Sequence, residues 1–137
     1  MEEKENPVPL DDEVQQILQD ACKEFGVPYA LTLGLIEKES TFQNISGDNG
    51  ASVGYLQIEK RWHWDRMERL GVTDLTDPAG NFRVGLDYLS ELYAKYEDWG
   101  KALTVYNLGH DPGYYTLYAY NVLDNYAKWQ ELTGIDE

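Results

Sequence analysis

Apolar residues recur at intervals of three and four along most of this chain, which is the spacing of helices with a buried face. Asp11 or Asp12 can cap the first such segment, and Gly26 can end it. Pro28 suits the first turn of a second helix, which runs to about Glu39 or Ser40. A chain with this repeated pattern must bury its apolar faces by packing helix against helix.

The second half of the chain continues the helical pattern. A short helix is predicted before Gly71, and Asp77 followed by Pro78 can begin a longer one. Two more helices are predicted, one over roughly residues 99–107 and one that carries the apolar positions between 119 and 129.

One stretch interrupts the helices. Residues 44–54, NISGDNGASVG, are rich in turn formers, and the letters GYLQI that follow predict a short strand. The predicted fold class is therefore mostly α, a compact helical domain with a small irregular or β segment near residues 44–58.

The length of the chain limits the number of domains. A sequence of 137 residues fits one domain with one core. We therefore expect a single domain over residues 11–137 with one functional site. The acidic stretch 1–10 is expected to form a flexible N-terminal extension.

The charge of the chain excludes some partners. The formal net charge of −14 argues against nucleic acid, because lysines and arginines that neutralise phosphates supply most of that affinity. Direct binding to an anionic membrane surface is disfavoured likewise, and no segment approaches membrane-spanning length. The N-terminus lacks the basic and apolar regions of a secretory signal. We expect that the protein stays inside the cell, or that an export segment is absent from this sequence.

Metal and cofactor sites are not indicated. Cys22 is the only cysteine, which excludes an intrachain disulfide and a cysteine-rich zinc site, and its place on an apolar helix face indicates a core residue. His63 and His110 are too few and too far apart in sequence to indicate a metal centre. We expect neither metal nor cofactor.

Two glutamates stand two positions apart in the apolar segment LGLIEKESTFQ. Helix positions two apart point to nearly opposite sides, so Glu37 and Glu39 cannot pair on one face. Glu39 shares the apolar face of Leu35 and Ile36, and Glu37 is expected to turn toward solvent. Desolvation raises the pKa of a carboxyl on the core side. The pattern indicates a general acid at Glu39, and the alternative is a helix-end glutamate that bends out to water.

Three segments carry a resemblance to a known family. LGLIEKESTF, GASVGYLQI and ALTVYNLG, in this order, resemble the signatures of the lytic transglycosylase domain of the lysozyme-like superfamily. The resemblance covers about residues 28–110 and implies an α+β lysozyme-like fold. The glycine segment differs from the usual family form by one extra residue and by Tyr55 in an aliphatic position.

The resemblance implies one catalytic acid and base, Glu39, and several residues that contact substrate. Tyr106 is expected to approach the carboxyl of Glu39. The substrate contacts that match family motifs are Ser40, Gln57, Tyr106 and Asn107, with Tyr55 as a further candidate. Without the motif order, purely structural roles would fit the four motif residues equally well. These roles are a helix end for Ser40, the solvent-facing side of a strand for Gln57, the core for Tyr106 and a helix C-cap for Asn107.

The resemblance also implies an activity. Glu39 would protonate the oxygen that links N-acetylmuramic acid to N-acetylglucosamine in peptidoglycan and then accept the proton of the muramoyl 6-hydroxyl. That hydroxyl closes a 1,6-anhydro ring without water. The alternatives are a goose-type lysozyme, which uses water, and a noncatalytic glycan-binding or assembly module. Asp48 is the best candidate for the second carboxylate of a hydrolase, although it can simply bond its own turn.

The implied partner is the glycan strand of peptidoglycan, and the implied location is the cell wall, outside the cell or in the periplasm. A phage-encoded origin would also fit. Because wall polymers are often anionic, the charge of −14 suggests that a larger cell-wall, secretion or phage assembly brings the domain to the wall. Aromatic residues in RWHWD and GYYTLYAY can serve as flat platforms for sugar rings or as core.

Overall fold

The computed structural model describes residues 6–135, which form six α-helices and a small three-stranded antiparallel sheet. This confirms the predicted fold class. The helices are α1 (Asp12–Phe25), α2 (Tyr29–Ser40), α3 (Trp64–Leu70), α4 (Pro78–Tyr96), α5 (Trp99–Leu108) and α6 (Leu117–Thr133), and the strands are β1 (Ser46–Gly47), β2 (Ser52–Val53) and β3 (Ile58–Glu59). No helix within the described residues is both long and apolar enough to cross a membrane.

The helix ends agree with the capping signals at Gly26 and at Asp77–Pro78, whereas Asp11 stands at the start of α1 without a side-chain capping bond. Gly26 ends α1 in the left-handed conformation at φ 68°, where a side chain would be strained. Pro78 is in the first turn of α4, and the side chain of Asp77 accepts a hydrogen bond from the Gly80 amide at 3.2 Å. These caps satisfy backbone groups that a helix end would otherwise leave unpaired.

Helix α2 lies at the centre of the molecule. Every residue from 29 to 36 is buried, so the first two turns have no polar face. The helix packs mainly on α6, and Gly34 permits the close approach, since a Cβ there would lie 3.0 Å from the Asn125 Cβ. Helix α1 packs on α4, and α4 on α5. The predicted one-sided pattern of α2 therefore applies only near its C-terminal end.

The N-terminal stretch reaches the core. Val8 is buried, and the side-chain amide of Gln15 donates to the Leu10 carbonyl at 2.8 Å and accepts from Asn6 at 3.0 Å. Residues 1–5 of the predicted flexible extension lie outside the described residues. In the structure, packing against α1 thus begins before residue 11.

The segment between α2 and α3 is a small antiparallel hairpin system. Ser46 pairs with Val53, and Val53 pairs in turn with Ile58. The strand predicted over GYLQI is present only at its last residue, Ile58, and the prediction was wrong for residues 54–57, which form the tight turn between β2 and β3. Gly54 at φ 78° and Gln57 at φ 49° have left-handed backbones that a strand cannot contain.

Asn81 of α4 holds this turn in place. Its buried side-chain amide donates to the carbonyls of Val53 at 2.8 Å and Leu75 at 2.9 Å, and its oxygen accepts from the Leu56 amide at 2.9 Å. A Cβ at Gly54 would lie 2.3 Å from the Asn81 side-chain nitrogen, so glycine is needed for this approach. Helix α4 therefore fixes the loop that forms one wall of the cleft described next.

Candidate active site

A cleft of about 940 Å³ opens where the C-terminal ends of α2 and α5 meet the sheet. The segment that leads into α3 and a tyrosine of α4 complete its walls. Several residues expected from the sequence lie together on these walls, namely Glu39, Asp48, Gln57, Tyr106 and Asn107.

Glu39 lies in the last turn of α2, with its carboxyl in the cleft. The hydroxyl of Tyr118, in the first turn of α6, donates to Glu39 Oε2 at 2.5 Å. Burial raises the pKa of the Glu39 carboxyl above its ordinary value, and repulsion from Asp48 acts in the same direction. The Tyr118 hydrogen bond and the nearby Lys38 lower this pKa but do not cancel the effect of burial. The carboxyl therefore keeps its proton to a higher pH than an ordinary glutamate does, as a general acid requires.

Glu37 points away from the cleft and is partly exposed, as expected, but it is not free in solvent. Its carboxylate accepts hydrogen bonds from Lys128 Nζ at 2.7 Å and from Trp129 Nε1 at 2.8 Å. Helix α6 passes alongside the C-terminal end of α2 and forms hydrogen bonds to both glutamates. Tyr118, near the start of α6, bonds Glu39, whereas Lys128 and Trp129, near its end, bond Glu37. The two acids thus differ in their partners more than in their exposure.

Tyr106 lines the cleft, yet its hydroxyl makes no hydrogen bond to Glu39. Among the described side chains it is the buried polar atom that lacks a partner. Its ring stacks on Tyr88 with centroids 5.2 Å apart, and burial raises the pKa of its hydroxyl well above the ordinary range. Tyr106 lies near enough for the Glu39 charge to raise its pKa further, whereas Tyr118 makes the hydrogen bond to this carboxyl. The aromatic segment GYYTLYAY was the signal, but helical spacing alone cannot say which tyrosine reaches a residue so distant in sequence.

Ser40 does not line the cleft. It is buried, and its hydroxyl donates back to the Ile36 carbonyl of its own helix at 3.3 Å. Tyr55 also lies elsewhere, packed on Phe82 with ring centroids 5.4 Å apart. The structure therefore gives both residues packing or helix-end roles, and neither is brought to the other candidates.

Gln57 and Asn107 are on the cleft walls. The side-chain amide of Gln57 donates to the carbonyls of Ile45 at 2.8 Å and Gly54 at 2.9 Å, so it braces the hairpin system. Asn107 is exposed near the end of α5. Of the two side chains, Asn107 is the freer to meet a ligand.

Asp48 is the second carboxylate on the cleft wall. Its Oδ2 accepts from the hydroxyl of Ser52 at 2.6 Å, and its backbone carbonyl accepts from Ala51 at 3.2 Å. Both bonds lie within the β1–β2 hairpin, as expected for an aspartate that stabilises its own turn.

The backbone beside the cleft is strained. Six described residues other than glycine have positive φ, and all but Glu97 follow α2 directly or belong to the hairpin segment: Thr41, Phe42, Asp48, Asn49 and Gln57. Each such conformation costs on the order of 1 kcal/mol and persists only where its surroundings enforce it.

The segment that leads into α3 carries aromatic and basic side chains. Trp62 is 68% exposed, and the guanidinium of Arg61 lies over its ring at 4.8 Å from the centroid. Arg66 forms ion pairs with Asp87 and, at 2.7 Å, with Glu91 of α4. These ion pairs fasten the start of α3 to α4.

Metal ligands do not gather at the cleft. Within residues 6–135, no three side chains of His, Cys, Asp or Glu lie close enough to hold a metal ion. His63 is on the cleft wall, whereas His110 is exposed in the loop after α5. Cys22 is buried in α1, and its thiol donates to the Thr32 hydroxyl at 3.4 Å.

Comparison with known proteins supports the resemblance. The family described as the transglycosylase SLT domain matches residues 16–113. The chain is similar in structure to an inactive mutant of the lytic transglycosylase Slt from Pseudomonas aeruginosa, with a TM-score of 0.74 and 18% identity, which confirms the lysozyme-like fold. That match covers 95% of this chain but 25% of the other, and a comparison with curated proteins gives no match. Because the family match spans most of the sequence, the chain belongs to the transglycosylase SLT domain family.

Proposed function

We propose that this protein is a peptidoglycan lytic transglycosylase in which Glu39 is the single acid and base. The observation that carries the proposal is the Glu39 carboxyl, which is desolvated at the wall of a large cleft and bonded to Tyr118. Family membership supplies the reaction class. The similar Slt structure is of a Glu-to-Gln mutant described as inactive, which agrees with an essential glutamate.

The proposed reaction needs one proton carrier. Protonated Glu39 gives its proton to the glycosidic oxygen between N-acetylmuramic acid and N-acetylglucosamine, and the bond from the anomeric carbon to that oxygen breaks. Positive charge develops on the muramoyl ring, and the Glu39 carboxylate stabilises it. The muramoyl 6-hydroxyl then attacks the anomeric carbon and returns its proton to the carboxylate. Tyr118 steadies the carboxylate between the two transfers, since its hydroxyl can donate throughout.

A goose-type lysozyme is the second candidate, because Asp48 shares the cleft with Glu39. A hydrolase would use such a carboxylate to activate water. The Asp48 carboxylate, however, accepts the Ser52 hydroxyl within its own hairpin. An attached 6-hydroxyl also has a high effective concentration at the anomeric carbon, so we favour internal capture over hydrolysis. A noncatalytic module remains a third outcome of the next experiment.

Digestion of purified peptidoglycan should yield muramoyl ends that are anhydro and resist borohydride reduction. Mass spectrometry of the fragments before and after reduction checks this expectation. Reducible ends would instead identify a hydrolase with Asp48 as the candidate base. Saturable binding to glycan strands without any cleavage would identify the noncatalytic module.

Activity should be best in mildly acidic solution and should fall as pH rises through the raised pKa of Glu39. Tyr118→Phe keeps the burial but removes the hydrogen bond that lowers this pKa, so the alkaline limb of the kcat/KM profile should move to higher pH. The maximal rate should fall as well, because the carboxylate loses its donor. A profile that climbs steadily to alkaline pH would rule out Glu39 as the initial acid.

The glycan strand is the proposed partner, and the wall is the proposed site of action. Because this chain spans a quarter of the similar Slt chain, other segments or a larger assembly can bring it there. Its net charge of −14 should make binding to isolated anionic walls weak at low salt. If the protein binds isolated walls tightly at low salt and more weakly as salt is added, charge repulsion between the protein and the wall does not limit binding.

A further inference from the structure

His63 lies on the cleft wall next to Trp62 and takes no part in the two proton transfers proposed for Glu39. Its Nδ1 accepts a hydrogen bond from Arg66 Nε at 3.3 Å. A guanidinium can only donate, so this bond leaves the proton of the neutral ring on Nε2. Burial and the Arg66 charge lower the pKa of His63, which agrees with a neutral ring near pH 7.

The Nε2–H group of His63 is available to bind a ligand. No described residue accepts from it, and the Tyr106 hydroxyl is the buried polar side-chain atom that lacks a partner among the described residues. Nε2 has no partner, and it is not among the buried unpaired atoms, so it must be accessible to solvent. The solvent-filled space that His63 lines is the cleft. The site therefore offers one oriented donor and no acceptor at this atom.

The His63 ring is held from several sides. Its edge packs on Tyr88 with centroids 5.0 Å apart, and Arg66 lies over the Tyr88 ring at 5.0 Å from the centroid. Arg66 is fixed in turn by its ion pairs with Asp87 and Glu91. A donor held this firmly loses little conformational entropy when it binds a ligand.

Three rings in contact line this part of the cleft. Tyr88 is the middle ring: it stacks on Tyr106 on one side and contacts His63 on the other. Trp62, whose ring is exposed and braced by Arg61, adjoins His63 in the chain. An open aromatic face beside a fixed donor can hold a sugar that neighbours the cleaved bond.

We propose that Trp62 and His63 form a subsite for an N-acetylated sugar, with Trp62 stacking on the ring and His63 Nε2–H donating to the acetamide carbonyl. The acetamide carbonyl is a strong neutral acceptor that cannot donate, so it complements a group that only donates. The subsite makes the cleft selective for the 2-acetamido group on a sugar beyond the cleaved bond. This inference rests on the proposed function, because it takes the ligand to be a peptidoglycan-like glycan.

Two substitutions of His63 separate its two nitrogens. His63→Asn keeps an acceptor near Nδ1 for Arg66 but removes the Nε2 donor, whereas His63→Gln keeps a donor near Nε2 and removes the acceptor. The probes are a β-1,4-linked N-acetylglucosamine oligosaccharide and the glucose oligosaccharide of the same length and linkage. Calorimetric titration is carried out in the Glu39→Gln protein, so that no probe is cleaved.

We expect His63→Asn to weaken binding of the acetylated probe by about fivefold, the effect of one neutral hydrogen bond, and His63→Gln to retain most of the affinity. Binding of the glucose probe should not change in either variant. Trp62→Ala should weaken both probes by a similar factor, because stacking does not read the acetamido group.

If His63→Gln binds the acetylated probe more weakly than His63→Asn does, His63 serves only to support Arg66. That result would overturn the proposal. An equal loss of affinity for both probes in His63→Asn, or no binding of the acetylated probe to the Glu39→Gln protein, would overturn it as well. These are binding measurements on a background without turnover. A hydrolytic product or an absence of cleavage would therefore contradict the proposed function and leave this result intact.

Discussion

Glu39→Gln will lower peptidoglycan cleavage by at least about 10²–10⁴-fold and leave the fold intact, because it removes the proton that starts the reaction. Glutamine has the size of glutamate, and its side-chain oxygen can still accept from Tyr118. Burial raises the pKa of Glu39 in the folded state above its pKa in the unfolded chain. The protein therefore loses stability as pH rises above the unfolded-state pKa and this carboxyl ionises. The neutral variant should therefore be at least as stable at pH 7. Release of soluble fragments and the thermal midpoint measure the two effects.

Glu37→Gln is the matched control, since it makes the same change two residues away. Activity should stay near that of the parent protein, because this side chain bonds Lys128 and Trp129 and does not line the cleft. The lost ion pair is partly exposed and is worth about 1 kcal/mol or less. If both variants are folded and lose activity equally, Glu39 is not distinguished as the acid.

Asn81→Ala should destabilise the protein by about 3 kcal/mol or more. The substitution leaves the Leu56 amide and the carbonyls of Val53 and Leu75 without their partner, and an unpaired buried polar group costs about 1–3 kcal/mol. The turn after β2 would lose its attachment to α4, so activity should fall even at temperatures where the variant is folded. Urea unfolding followed by circular dichroism gives the stability change.

Asn44→Ala is the control for this loss. Asn44 also uses its side-chain amide to bond a backbone carbonyl, that of Thr76 at 2.9 Å, but the contact is exposed. Water can replace it, so the expected change in free energy is within about 1 kcal/mol. A similar loss in both variants would mean that Asn81 does not brace the turn.

Much of the helical framework could be predicted because its signals are local. Gly26, Pro28 and the pair Asp77–Pro78 mark helix ends through their own backbone preferences, and the structure has helices begin or end beside each of them. Glu39 was also identified from local spacing together with the motif order. Its position on the cleft wall with a raised pKa agrees with that prediction, and its catalytic role stays a proposal.

The remaining features depend on contacts between distant parts of the chain. No local pattern indicates that Tyr118 rather than Tyr106 bonds Glu39, because the choice depends on how α6 crosses α2. The turn at residues 54–57 has the composition of a strand, but Asn81 fixes it by hydrogen bonds from another element. Tyr55 was a groove candidate by sequence position, yet the packing of that turn directs it onto Phe82.

The left-handed residues beside the cleft bear on how this protein could be engineered for heat resistance. Glycine at Thr41, Phe42 or Asn49 would relieve local strain, but it would also add conformational freedom where the cleft must keep its shape. Thermostabilising changes should therefore be sought on the distant surface. An excess of 25 acidic over 11 basic residues leaves many carboxylates there whose replacement by lysine would reduce self-repulsion without touching the strained segment.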